Sequence, residues 1–310
     1  MRSRKAKILT TGIHVVFRGL KFESDADIGQ ISADFERGRF ATASHERLPM
    51  TQEKIQVLWN KKVGPGYFKI GLNCKGEYSE AKPGQFVMLR LCGGIEPLLR
   101  RPFSIHRLIS GNGQFKGIEI LYKVVGKFTK KLSVLKKNEL IDILGPLGSG
   151  FSIPKNIKRI FMVAGGIGVA PIVFLASQLK NNDVDISRCR MFLGGRSKDD
   201  ILCLDDFDQL KMDVKLTTDD GSAGSKCLVT HPLEMVLAER PPDILYACGP
   251  PEMLKSVVLL VQKFAVKCQI SVETMMACGM GACLGCAVES GGASEKYLHA
   301  CLDGPVFDAN

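Results

Sequence analysis

The sequence has one tryptophan, five tyrosines and no apolar run near the about 18 residues that a membrane-crossing helix needs. Its longest such stretch, Val257–Phe264, is interrupted by Gln262 and Lys263, so a soluble protein without a membrane partner is expected. Acidic residues are few, 32 against 42 lysines and arginines, which leaves a net charge of +10. That excess raises the question of nucleic acid, but the basic residues are spread along the chain among acidic ones, and aromatics for stacking on bases are scarce. Solvated lysine-rich faces, or an acidic protein partner, account for the charge, and no nucleic-acid partner is expected. The start lacks the apolar core of a secretory signal. The cysteines number 11 and show no disulfide-like spacing, which points to a reducing, cytoplasmic setting.

Residues 1–49 differ from the rest. They are Arg-rich, have no acidic residue before Glu23 and show little periodicity. A transit peptide would be richer in serine over its first twenty residues. "MTQEKIQVLWN" from Met50 begins a strand pattern at once, so Met50 is expected to be the true initiator, or 1–49 a weakly ordered extension.

From 50 to 152 the chain alternates apolar and polar residues over short stretches: "KIQVLWNKKV", "YFKIGLNC", "QFVMLRL", "RPFSIHRLI", "GIEILYKVV" and "ELIDILGPL". Turn chemistry separates them, so about six strands in a small antiparallel barrel are expected. From 153 to 266 continuous apolar runs such as "RIFMVAGG" alternate with helical stretches. That is βαβ alternation and predicts a doubly wound parallel sheet. A third unit, 267–310, opens on a strand, "KCQISVET", and carries a cysteine cluster.

In "VAGGIGVAPI" a buried strand ends in Gly165, Gly166 and Gly168, and Pro171 falls in the first turn of a following helix. Glycines let backbone approach a ligand, and the helix start offers free N–H groups to a pyrophosphate. The turn is not the G-x-G-x-x-G fingerprint and alone could be only a tight turn. Its weight comes from "YACGPPEML", which repeats strand, turn and helix with Cys248, Gly249 and Pro250, so that two edges could flank one dinucleotide. In "RRPFSIH", Arg101 can pair with a diphosphate, Pro102 fixes the backbone, Phe103 offers a ring face and Ser104 a hydroxyl. "LYKVVGKFTKKLS" then places Gly126 and Thr129 ahead of a helix, near Lys127, Lys130 and Lys131.

Cys278, Cys283, Cys286 and Cys301 have the spacing C-x4-C-x2-C-x14-C. The opening is the plant-ferredoxin spacing of a [2Fe–2S] cluster, whose fourth thiolate arrives from further on. Zinc ribbons usually show two C-x2-C knuckles, so zinc is the alternative. The other seven cysteines read as small buried or neutral surface residues, and His106, His231 and His299 as structural, since none is beside a plausible nucleophile.

This ordered set, R-P-x-S, G-G-I-G-V-A-P, C-G-P and then the cysteine cluster, resembles the ferredoxin–NADP reductase superfamily. Within it, "ETMMACGMGACLGCAV" and the closing "CLDGPVF" resemble the electron transfer subunits of dihydroorotate dehydrogenase B, from about residue 51 to the end. The resemblance implies that Arg101, Pro102, Phe103, Ser104, Leu121, Tyr122 and Lys123 hold FAD, with Phe128 and Thr129 at its pyrophosphate. The family commonly has glycine where this chain has Phe128, whose backbone N–H would serve but where a positive φ would be strained. It implies NAD+ between Gly165–Pro171 and Cys248–Pro250, a [2Fe–2S] cluster on the four cysteines, and no acid–base triad. It further implies an FMN-containing catalytic subunit as partner, in a heterotetramer of two of each, serving pyrimidine (UMP) biosynthesis. NAD+ is expected over NADP+, because Asp199 and Asp200 would repel a 2′-phosphate although Arg196 and Lys198 are near. The alternatives are a flavin and iron–sulfur subunit of another NAD(P)H oxidoreductase complex, acting on ferredoxin, sulfide or sulfite, or a zinc-stapled binding protein without catalysis.

Overall fold

The computed structural model describes residues 50–94, 96–290 and 296–309, so the expectations for 1–49 lie outside the described residues. Seven strands build the first sheet: β1 (Thr51–Gly64), β2 (Tyr67–Leu72), β3 (Phe86–Leu91), β4 (Arg101–Ser104), β5 (Arg107–Gly111), β6 (Gln114–Lys123) and β7 (Leu140–Leu147). They pair antiparallel in the order β4-β3-β7-β1-β2-β6-β5. The sequence pattern predicts about six strands; the seventh arises because "RPFSIHRLI" is two strands at opposite edges of the sheet. Between them Ile105 N–H donates to the Gln85 carbonyl at 3.0 Å and His106 N–H to the Glu119 carbonyl at 2.9 Å, so the chain itself ties the two edges together. Both residues are fully buried, and the apolar alternation therefore runs through the crossing without a mark. Inside the curl lie Val57, Ile70, Leu72, Leu89, Ile118 and Ile143, each contributing about 1.5–3 kcal/mol by burial.

The second sheet has β8 (Ile160–Gly165), β9 (Cys189–Gly195), β10 (Asp213–Thr218), β11 (Ser225–Lys226), β12 (Ile244–Cys248) and β13 (Cys268–Ser271). After β13 the chain forms a hairpin, β14 (Ala287–Ser290) with β15 (Lys296–His299), and returns as β16 (Val306–Asp308). The order is β11-β10-β9-β8-β12-β13-β16, parallel except for β16 against β13. The continuous apolar run of β8 has a direct cause: Ile160, Met162 and Ala164 pack under the helix Val169–Asn181, while Phe161 and Val163 join the core of the helix Pro251–Lys263 on the opposite face. Strand order reverses between β8 and β12, the place where such sheets bind ligands.

A charged seam joins the sheets. Asp206, in the helix Leu204–Gln209, meets Lys69 at 3.3 Å and Arg107. Asp200 accepts from Tyr67 at 2.5 Å and from Lys123 at 3.2 Å. His106 is fully buried between them, Nδ1 being 3.0 Å from the Ala170 carbonyl. Burial and then the Lys69 charge pull its pKa down to about 3, so it stays neutral. Among the described residues, no helix is long and apolar enough to cross a membrane.

Candidate functional site

At the reversal point the two glycine turns touch. A Cβ on Gly168 would lie 2.4 Å from the Cys248 carbonyl oxygen, and one on Gly249 would lie 2.9 Å from the Gly165 nitrogen. Gly166 has φ +53 and open space where its side chain would be, a cradle on the ligand side of the turn. Gly166–Gly168 form a 3-10 turn that runs into the helix Val169–Asn181, with Pro171 in its first turn. Gly165, Gly166, Gly168, Pro171, Cys248, Gly249 and Pro250 are therefore brought together at one edge of the sheet. Glu273 stands near this edge, and its signal in the sequence is slight, a lone acid between β13 and the cysteines. Burial raises its carboxyl, and burial and then this carboxylate push the Cys248 thiol up.

Arg101, Pro102, Phe103 and Ser104 form the half-buried edge strand β4, where a proline costs no ladder bond. Phe103 packs edge-on to Tyr122 at 6.1 Å and against Phe128 at 5.8 Å. Leu121 and Tyr122 are buried side chains, and Tyr122 donates to Asn60 at 3.0 Å. What they offer a ligand is backbone: β5 pairs with β6 only as far as Glu119, so the outer edge beyond has no partner strand among the described residues. That open edge, flanked by rings, fits a flavin. Lys123 departs from the expectation, because its ammonium is taken up by Tyr67 and Asp200 across the seam.

Further expectations change in part. Gly126 precedes the helix Lys127–Leu132 as its N-cap, as expected, but Thr129 lies within it rather than ahead of it. Phe128 has no positive φ and its ring is in the core, so the anticipated strain is absent. The Thr129 hydroxyl accepts from Val125 N–H at 2.9 Å and Gly126 N–H at 3.1 Å, fixing the turn. Asp200 spends its charge inside the protein, paired with Lys123 and Arg196: burial raises its carboxyl, but hydrogen bonds from Tyr67, Lys123 and Arg196 outweigh that and hold it low. Asp199 alone of the pair is exposed.

The four cysteines converge as two pairs. Cys286 and Cys301 sulfurs are 3.2 Å apart and buried, and Cys278 shares a hydrogen bond with Cys283, which is exposed. Gly279 (φ +76) and Gly281 (φ +84) turn the loop so that Met280 N–H reaches Cys278 Sγ at 3.4 Å and Gly281 N–H reaches Cys301 Sγ at 3.1 Å. A side chain at Gly279 would strike Met88 of β3 at 2.6 Å, so the loop is pressed on the first sheet. Burial raises Cys278, but the Met280, Cys283 and Ala282 N–H groups outweigh it and hold the thiol low. The bond with Cys301 brings Cys286 down to about 6 and pushes Cys301 up, so one proton serves both. Tetrahedral zinc, with Zn–S near 2.3 Å, needs all its sulfurs within about 4 Å of each other. Among the described residues, the ligand group that does gather three side chains within 4.8 Å is His106, Cys203 and Asp206, not these cysteines. Asp206 there is already spoken for by Lys69 and Arg107. Two thiol pairs suit two irons.

The profile of the iron-sulfur cluster binding domain of dihydroorotate dehydrogenase B matches residues 273–310, and that of the oxidoreductase NAD-binding domain matches 162–258. The dihydroorotate dehydrogenase B (NAD(+)) electron transfer subunit of Clostridium acetobutylicum is 40% identical over 257 residues, 83% of this chain and 94% of that one. The chain belongs to this family. The electron transfer subunit of Desulforamulus reducens is likewise 40% identical, over 230 residues, 73% of this chain and 85% of that one. Among solved structures, an NADH-dependent reduced ferredoxin-NADP oxidoreductase superposes with TM-score 0.71 at 31% identity, covering 86% of this chain and 90% of that one. A ferredoxin NADP+ reductase from Neisseria gonorrhoeae, solved with FAD and NADP, shares the fold with TM-score 0.58 at 17% identity, covering 69% and 91%. The two matched domains are, by their descriptions, an iron-sulfur cluster binding domain and an NAD-binding domain.

Proposed function

We propose that this chain is the subunit that takes electrons from an FMN-containing dihydroorotate dehydrogenase subunit and delivers them to NAD+, in pyrimidine (UMP) biosynthesis. The observation that carries the reading is the pairing of four thiols beside the first sheet, in a chain 40% identical to electron transfer subunits. When bound, the [2Fe–2S] cluster passes single electrons, FAD collects two, and NAD+ leaves with a hydride. The residues do the rest. Cys278, Cys283, Cys286 and Cys301 hold the irons, and the inward N–H groups of Met280 and Gly281 offset the charge on their sulfurs. Arg101 pairs with the FAD diphosphate, Phe103 and Ser104 address the flavin ring, and the backbone of Leu121–Lys123 and of Phe128–Thr129 borders the remainder. Gly165, Gly166 and Gly168 with Pro171, and Cys248 with Gly249 and Pro250, receive NAD+. Exposed Asp199 favours NAD+ over NADP+.

Cys283 is at the surface, and Met275 and Met280 beside it in the chain are 84% and 42% exposed, an apolar rim for the partner. A cytoplasmic heterotetramer of two catalytic and two electron-transfer subunits is the assembly this reading carries. The test is co-expression with the FMN subunit and assay of dihydroorotate-dependent reduction of NAD+. Activity with NAD+ and little with NADP+ is expected. A complex that reduces ferredoxin but is inert to dihydroorotate would move the chain to the ferredoxin-NADP oxidoreductase type, the second reading that the 31% identical structure favours.

A further inference from the structure

The four cysteines leave one neighbouring group unaccounted for. His299 ends β15 directly across from Ala287, which places it beside Cys286 and two residues before Cys301. Its backbone is held firmly: its N–H donates to the Asp303 carboxylate at 2.7 Å, and its carbonyl accepts from Leu302 N–H at 2.8 Å and Asp303 N–H at 2.7 Å. One residue on, Ala300 N–H donates to the Cys286 carbonyl at 3.1 Å, fixing the imidazole's strand against the ligand loop. The ring lies close enough to the Cys286 thiol to favour its charged form. Its Nδ1 is buried and has no hydrogen-bond partner among the described residues, sulfur included.

A buried polar atom without a partner is costly, so such an atom calls for an explanation. The acceptor that a filled site would bring to this position is sulfur, on the strand pair that holds Cys286 and Cys301. We infer that His299 donates its buried ring N–H to sulfur at the Cys286–Cys301 end of the cluster and so tunes its reduction. The inference rests on the cluster reading given above. A hydrogen bond to a ligand sulfur withdraws electron density and stabilises the reduced, more negative state, which raises the potential. His299 is a positioning and tuning residue in this scheme. It is not among the residues assigned to NAD+ or FAD, and the sequence pattern gives it only a structural role.

Two measurements on the full-length protein, purified with its cofactors and partner, test the inference. In protein labelled with 15N only at histidine and reduced with dithionite, pulsed electron paramagnetic resonance should detect a histidine nitrogen coupled to the cluster, and the signal should vanish in His299→Leu. A redox titration of His299→Leu should show reduction about tenfold less favourable than in wild type, which for a one-electron couple is about 59 mV. His299→Gln, which restores an N–H donor, should return towards the wild-type value. An unchanged potential in His299→Leu, or wild-type protein with a normal cluster signal and no coupled histidine nitrogen, overturns the inference while leaving the cluster in place. If His299→Leu does not retain a cluster, the labelled wild type decides alone. Wild-type protein with no iron–sulfur signal at all would remove the cluster reading, and this inference with it.

Discussion

The cysteine loop 278–286 and the charged seam between the sheets both gather reactive side chains, and they do it by opposite means. In the loop, short-range backbone does the work: two left-handed glycines turn N–H groups onto sulfur. In the seam, side chains from distant parts of the sequence neutralise each other, Asp206 with Lys69 and Arg107, Asp200 with Tyr67 and Lys123. Burial raises the pKa of Cys74, just past β2, and of Cys268 in β13, whereas N–H groups hold Cys278 low and Cys286 and Cys301 move in opposite directions against each other. What sets the clustered thiols apart is what points at their sulfurs.

The sharpest break of that contrast is Cys286→Ser, which should abolish the iron–sulfur absorbance and the iron content, whereas Cys268→Ala, a buried cysteine of β13, should keep both. Retained iron in the first variant would place the fourth ligand elsewhere.

Next in size is Asp206→Asn, which leaves Lys69 and Arg107 only the more distant Glu119 carboxylate, at 4.0 and 3.9 Å. Breaking a fully buried pair costs about 3–5 kcal/mol, and the partial exposure of Arg107 lowers the expectation to about 2 kcal/mol, read as a shift in urea midpoint. The seam also has a pH signature. Burial pushes Asp206 up, but Lys69 and Arg107 outweigh it and hold its folded pKa below the unfolded value near 3.9. Its stabilisation is therefore present above about pH 4 and is lost as pH falls through the folded pKa. The difference between wild type and Asp206→Asn should shrink towards zero below that range, and a constant difference would argue against the ion pairs.

Gly281→Ala should have a smaller effect on stability, about 1–2 kcal/mol, since φ +84 and a Leu302 contact at 2.3 Å oppose a side chain. It should also lower iron occupancy, because Gly281 N–H is aimed at Cys301. The smallest effect expected is Glu273→Gln, which should change hydride transfer to NAD+ with little change in thermal midpoint or iron content.

The two regions also differ in how readable they are. C-x4-C-x2-C is legible because ligand spacing and intervening small residues are local in the chain, and the same holds for the glycine turn at 165–168 and the run of β8. Lys123 and Asp200 were open to misreading for the opposite reason. Each looks like a ligand contact from its neighbours in sequence, and only the folding of β6 against the turn after β9 shows that each is the other's partner. The seventh strand was hidden because the crossing at Ile105 and His106 is as buried as the strands it separates. His299 gave no signal, since nothing in "YLHACL" says which sulfur its ring will meet.

By itself the sequence determined the two sheet types, the two glycine turns and the clustering of four cysteines, all set by periodicity, by left-handed backbone preference or by short spacing. The tertiary structure decided which charges are spent on each other, where the first sheet closes and which ring nitrogen lies buried beside the cysteines. Those outcomes depend on contacts between residues tens of positions apart, where burial makes an unpaired charge or N–H costly and so selects its partner.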